Sequence, residues 1–210
     1  EMLEYIKSDD CKHFMLDSGA FTFMNQSSEN VDWHDYVGKY IDFINKNKVE
    51  YFFDLDIYSI LNKNKVEKIR YRIESETGKK SIPVWHKTLG LNYWIELTKK
   101  YEYIAIGGFV TKEITQKEYK FIPKMLKIAS QNNCKVHGLG FTTQKQLKIC
   151  KFYSVDSTTW MRARFGDVAT FNGSEIKIHT NKDKHVKSKE STIQNLKAWI
   201  KFQKYAKKNL

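Results

Sequence analysis

Tyr153-Ser154-Val155-Asp156-Ser157-Thr158-Thr159-Trp160-Met161-Arg162-Ala163-Arg164-Phe165-Gly166 is the stretch where the organisation of the chain is most legible. With Phe152 ahead of it, its start reads as a short buried strand that delivers one carboxylate, Asp156, at its C-terminal end. Polar residues and two arginines follow at once. Of the 36 basic residues only four are Arg (Arg70, Arg72, Arg162 and Arg164), so half of the arginines stand beside one strand-end aspartate. The planar guanidinium grips a phosphate bidentately, which a lysine cannot do. A carboxylate beside phosphate-holding arginines points to chemistry on a sugar-phosphate. A structural Asp–Arg ion pair in a loop is the plainer alternative.

Outward from that strand, short apolar runs alternate with amphipathic stretches. Strands are expected at 13–20, 51–57, 82–86, 103–108, 135–141 and 152–156. Between them, Val37, Tyr40, Ile41 and Ile44 form one helical stripe. Ile122, Met125, Leu126 and Ala129 form another, with Pro123 in the first turn. Strands separated by helices of this length imply βαβ units and a parallel sheet. Nearly every strand ends in polar or glycine residues: Asp17-Ser18-Gly19, Asp54-Leu55-Asp56, His86, Gly107-Gly108, His137-Gly138-Leu139-Gly140 and Asp156. In a parallel barrel such ends converge on one rim, where active sites sit. The expected fold is an α/β, TIM-type (β/α) barrel, with 1–210 forming one domain. Glycines at a rim let a flat ligand approach the backbone, although tight βα turns also call for them.

A barrel needs eight strands and six are found, while residues 2–7 read as the end of a helix. The first two βα units are therefore expected upstream of Glu1. Asn172-Gly173, between 168–171 and 175–179, signals a hairpin with a type I′ turn, both of whose central residues take positive φ. A basic terminal helix follows, with Ile193, Leu196 and Ile200 on its packed face.

Composition narrows the classes. With 210 residues, 41% hydrophobic and 14% aromatic, the chain is a folded globule rather than a disordered one. The net charge is +12, and from Lys177 onward ten lysines face only Asp183 and Glu190, which concentrates +8 there. Such a segment suits a polyanion-binding surface, unless the lysine bias is compositional and serves no function. Cys11, Cys134 and Cys150 are far apart and in no C-x-x-C spacing, which argues for a reducing compartment and against structural zinc. No apolar run approaches the roughly 18 residues of a membrane span.

The order of the strand endings resembles the tRNA-guanine transglycosylases and, more closely, their short phage relatives that insert 7-deazaguanines into DNA. The resemblance runs from Phe14 to about His179. Asp17-Ser18-Gly19-Ala20-Phe21 is similar to the family's D-S-G-G-F/Y motif and Phe53-Asp54 to its F-D strand end. Ile106-Gly107-Gly108-Phe109 is similar to its I-G-G-L turn, and Gly138-Leu139-Gly140 to its G-V-G. Arg162-Ala163-Arg164-Phe165-Gly166 with the Asn-Gly hairpin resembles its R-x-x-R-x-G segment. Two departures stand out. No Cys follows Cys150, so the family's zinc site is absent and tRNA is the less expected substrate, and His86 stands where the family carries Gln.

The resemblance implies a guanine-exchange glycosyltransferase that works without a cofactor or metal. Asp156 would form a covalent glycosyl ester and Asp17 would shuttle the proton. Asp54 would read the guanine edge, with Asp56 as its rival. Ser18, Phe21, His86, Gly107, Gly108, His137 and Gly140 would complete the base site, Phe21 and His137 sandwiching the base. Arg162 and Arg164 would hold the nucleic acid. The implied partners are single-stranded or locally opened DNA and a free 7-deazaguanine, and the implied setting is the cytoplasm of a phage's bacterial host. Two rivals remain at this point: an N-glycoside hydrolase using water in place of the incoming base, and a non-catalytic nucleic-acid-binding barrel.

Overall fold

In the computed structural model, which describes residues 2–9, 11, 13–19, 31–180 and 188–210, the chain divides into two compact units. One is Glu1–Ile106 with Asn132–Cys134, and the other is Gly107–Gln131 with Lys135–Leu210.

The first unit contains α1 (Met2–Ile6), β1 (Met15–Leu16), α2 (Trp33–Asn47) and β2 (Tyr51–Phe52). It continues through α3 (Lys63–Thr77), β3 (Val84–Trp85), α4 (Gly90–Lys100) and β4 (Tyr103–Ile106). β1 pairs with β2 and β3 with β4, both in parallel, and a parallel bridge between Phe53 and Ile82 links the two pairs. Strands adjacent in the chain are thus neighbours in space, as βα repetition requires. The ladders are shorter than the apolar runs because side chains take over at their ends. Asp54 Oδ1 accepts the Val84 N–H at 3.0 Å, and Asp17 Oδ1 accepts the Gly19 N–H at 3.3 Å. A short polar side chain competes in this way with ladder carbonyls for the backbone donor.

α2 starts where the Asp32 carboxylate accepts the N–H groups of His34 and Asp35, and ends at Lys48 in the left-handed region, φ 52°. Its stripe of Val37, Tyr40, Ile41 and Ile44 is buried with Val49, Phe52, Leu55, Ile57, Val66 and Ile73. α3 places Arg70 between Val66 and Ile73 on its buried side. The guanidinium is met by Asp54 Oδ2 at 3.1 Å through Nη1 and by the Tyr93 hydroxyl at 2.8 Å through Nη2. Removing one partner of a buried pair strands the other charge. Arg70→Met should therefore destabilise the protein by about 3–5 kcal/mol, read by urea unfolding. Wild-type stability in that variant would mean that Asp54 tolerates burial without its cation.

The second unit contains α5 (Ile122–Gln131), β5 (Lys135–Gly138), α6 (Gln144–Leu147), β6 (Ser154–Val155), β7 (Asp167–Phe171), β8 (Ile176–Thr180) and α7 (Ser188–Asn209). β5 and β6 are parallel, with His137 opposite Ser154 and Gly138 opposite Val155. Their apolar core includes Phe109, Tyr119, Phe141 and Phe152, whose rings lie 4.8–6.2 Å apart. β5 ends at Gly138 rather than at Phe141 because the chain turns there: Gly138 O accepts the Phe141 N–H, and Gly140 sits at φ +68°.

β7 and β8 form the expected antiparallel hairpin, but its turn is not type I′. Of its two central residues only Gly173 has positive φ, +102°. The Asn172 side-chain oxygen accepts the N–H groups of Ser174 and Glu175, so a four-residue loop joins Phe171 to Ile176.

α7 also differs from expectation. Its buried positions are Ser191, Asn195, Ala198 and Phe202, while Ile193, Leu196 and Ile200 are exposed. Asn195 sets this register. Its Oδ1 accepts the Ala169 N–H at 2.6 Å, and its Nδ2 donates to the carbonyls of Asp167 and Trp160 at 2.9 and 3.2 Å. Meeting three backbone groups, two of them in buried hydrogen bonds, outweighs burying Ile193, Leu196 and Ile200. Among the described residues, no helix is long and apolar enough to cross a membrane.

Candidate active site

The candidate carboxylates and histidines lie at or just beyond strand ends. In the second unit, Asp156 lies one residue beyond β6, and its side chain is 48% exposed. Its Oδ1 accepts the Gly140 N–H at 2.6 Å and stands 3.2 Å from His137 Nε2. His137 comes from β5, is buried, and its Nδ1 lies 2.6 Å from Ser154 Oγ. With the proton on Nε2 facing the carboxylate, Nδ1 accepts from the serine hydroxyl, so both ring nitrogens are satisfied. Burial pushes the Asp156 carboxyl up, but the His137 and Gly140 hydrogen bonds outweigh it and hold the group below the ordinary aspartate value of 3.8. The arrangement delivers an ionised, half-exposed carboxylate at the end of a parallel strand.

The loop that supplies the Gly140 amide has no room for a side chain. A Cβ at Gly140 would collide with the Val110 side chain, and one at Gly108, φ +86°, would come within 3.0 Å of the Glu113 carboxylate. Gly107 is buried beside it, and Gly108 O accepts the Ile114 N–H, closing the loop between them.

Arg162 and Arg164 lie in the 3₁₀ turn Thr159–Phe165 that follows Asp156. Arg162 is partnered, although not by Asp156. Its Nε donates to Asp167 Oδ2 at 2.7 Å, and Thr180 Oγ1 donates to the other oxygen of that carboxylate. The Arg162 side chain remains 58% exposed, which leaves guanidinium surface open to solvent. Arg164 lies 4.8 Å over the exposed Phe165 ring.

In the first unit, Asp17 follows β1 directly and is exposed. Ser18 is buried, with its carbonyl accepting from the Tyr36 hydroxyl. Burial, and then the Asp17 charge, raise the pKa of Tyr36, which keeps the phenol protonated beside the carboxylate. Asp54 is 0% exposed with both oxygens engaged, Oδ1 by Val84 N–H and Oδ2 by Arg70. Burial pushes its carboxyl up to about 6 against the pull of Arg70, and the charge of Asp56 adds to the rise. Asp56 Oδ1 lies 2.6 Å from His86 Nε2, and the Tyr58 ring stands 6.0 Å from the His86 ring. Phe21 lies outside the described residues.

The structure therefore brings His137, Gly140 and Asp156 together, and likewise Asp56 with His86. Sequence reading missed Arg70 and Ser154. Arg70 had a signal, since a lone arginine falls on the Val66–Ile73 apolar stripe. Ser154 had none. Among the described residues no group of three or more His, Cys, Asp or Glu side chains is placed to hold a metal ion. No protein-family model matches the chain, and no curated protein matches it either.

The Asp156 environment is directly testable. A carboxyl-carbon NMR titration should place its pKa below 3.8, and His137→Ala should move it upward by removing a donor to the charged form. Because the folded value is depressed, the stability this group contributes is present above the unfolded pKa and is lost as pH falls through the folded one. An unmoved titration in His137→Ala would leave the Gly140 amide as the dominant donor.

Proposed function

We propose that the protein is a base-exchanging glycosyltransferase that inserts a 7-deazaguanine into DNA through a covalent ester on Asp156. The observation that carries the reading is the ionised, half-exposed Asp156 carboxylate, held through one oxygen by His137 and Gly140. With Oδ1 occupied, Oδ2 attacks C1′ of the target nucleotide. The C1′–N9 bond breaks, its electron pair leaves with guanine, and the departing base takes a proton from Asp17. The incoming 7-deazaguanine then gives its N9 proton to Asp17 and attacks C1′. The ester bond breaks and Asp156 is regenerated, so two inversions give net retention. The (β/α) barrel belongs to the same proposal, as does the cytoplasm of a phage's host as the setting. Parallel pairing in chain order within each unit supports the barrel.

The test is single-stranded DNA incubated with a radiolabelled 7-deazaguanine. Label should enter the DNA, and Asp156→Asn should abolish incorporation while the protein stays folded. Without free base, a protein–DNA adduct stable to denaturing electrophoresis should accumulate. Abasic sites without incorporation would make the protein a hydrolase. Incorporation unaffected in Asp156→Asn would remove the covalent mechanism.

Polymer recognition rests on the exposed lysines of α7 (Lys189, Lys197, Lys201, Lys204, Lys207 and Lys208) with Arg162 and Arg164. Phosphate contacts release counterions, so single-strand affinity should fall with salt at a log–log slope of about −0.7 per contact. Arg164→Ala should flatten that slope by about one contact, equally for all sequences. Mismatched or single-stranded DNA should react faster than duplex, because the target base must leave its stack. Salt-independent turnover of free nucleosides would overturn the polymer substrate.

A further inference from the structure

Two carboxylates two residues apart, Asp54 and Asp56, compete for the task of reading the base, and the structure separates them. Asp54 has no exposed side-chain surface, and each of its oxygens already holds a buried donor. Turning either oxygen toward a ligand would break its buried hydrogen bond to the Val84 N–H or to the Arg70 guanidinium, a loss a new hydrogen bond does not recover. Arg70 is itself fixed by the Tyr93 hydroxyl, so it cannot follow a displaced carboxylate. Asp54 is part of the frame.

Asp56 has the opposite character. The chain leaves the ladder at Phe53 and turns, with Ile57 N–H donating to Leu55 O. Leu55 and Ile57 are fully buried, whereas the Asp56 side chain between them is 23% exposed. Its single hydrogen bond among the described residues runs from Oδ1 to His86 Nε2. The imidazole fixes the carboxylate plane, and Oδ2 remains able to accept.

We propose that Asp56, oriented by His86, is the carboxylate that accepts the N–H donors of a guanine-type base, with Asp54 and Arg70 forming its buried support. The inference rests on the base-exchange reading for its ligand class. An acceptor-only group selects an edge carrying a ring N–H beside an exocyclic amine, and disfavours a base that lacks the amine. His86 is a positioning residue.

Calorimetric titration of the intact protein with free guanine and with hypoxanthine, which lacks the 2-amino group, needs no turnover. The wild type should prefer guanine. Asp56→Asn should weaken guanine binding by about 10–100-fold, the worth of a hydrogen bond to a charged group, and erase the preference. His86→Gln, which keeps an N–H donor toward Asp56, should retain more of the preference than His86→Leu. The guanine/hypoxanthine ratio is independent of the folded fraction, so a destabilised Asp54→Asn protein remains interpretable. Loss of the preference in Asp54→Asn with wild-type behaviour in Asp56→Asn would overturn the assignment, as would binding of neither base by the wild type. Asp56-dependent binding without incorporation into DNA would sink the exchange reaction and leave this site standing.

Discussion

Where a parallel strand runs out, a backbone N–H loses its ladder partner, and in this protein an aspartate repeatedly takes that donor. Asp17 accepts from Gly19, Asp54 from Val84 and Asp156 from Gly140. At Val84, where the bond is buried, the constraint is obligatory, because a backbone donor left unpaired away from water costs about as much as a lost hydrogen bond. It also concentrates negative charge at strand ends without help from a ligand. The carboxylates have a structural reason to be present, and any chemistry they perform is built on that role.

Burial then sorts them. Asp54 is sealed in, and desolvation pushes its carboxyl up to about 6 even with Arg70 against it. Asp156 is half open, and hydrogen bonds from His137 and Gly140 draw its carboxyl down. Two carboxyls driven in opposite directions by their surroundings suit different tasks, one as scaffold and the other as a charged reactive group. Asp56 stands between these extremes, partly exposed and steered by an imidazole.

The basic end of the chain follows a similar logic of polar satisfaction. Asn195 meets three backbone groups of the hairpin region and thereby fixes the rotation of α7. Lysines are left to solvent by that rotation, and so are Ile193, Leu196 and Ile200. The proposed polyanion contact draws on the exposed lysines of this helix and not on its apolar residues, since phosphate contacts are made by exposed charge.

Much of this was legible in the order of residues alone. The βα alternation, the Val37–Ile44 stripe, the hairpin position and the polar strand ends are local patterns with periods of about two or 3.6 residues, and local geometry obliges them. What the tertiary structure alone decided is which partner each polar group finds. Asp54 rather than Asp56 is sealed because Arg70 and Val84 arrive from 16 and 30 residues away. Arg162 bonds Asp167 rather than Asp156, and Asn195 overrules the apolar face of α7 from 26 residues beyond Ala169. Such choices depend on contacts between distant segments, and no local periodicity encodes them.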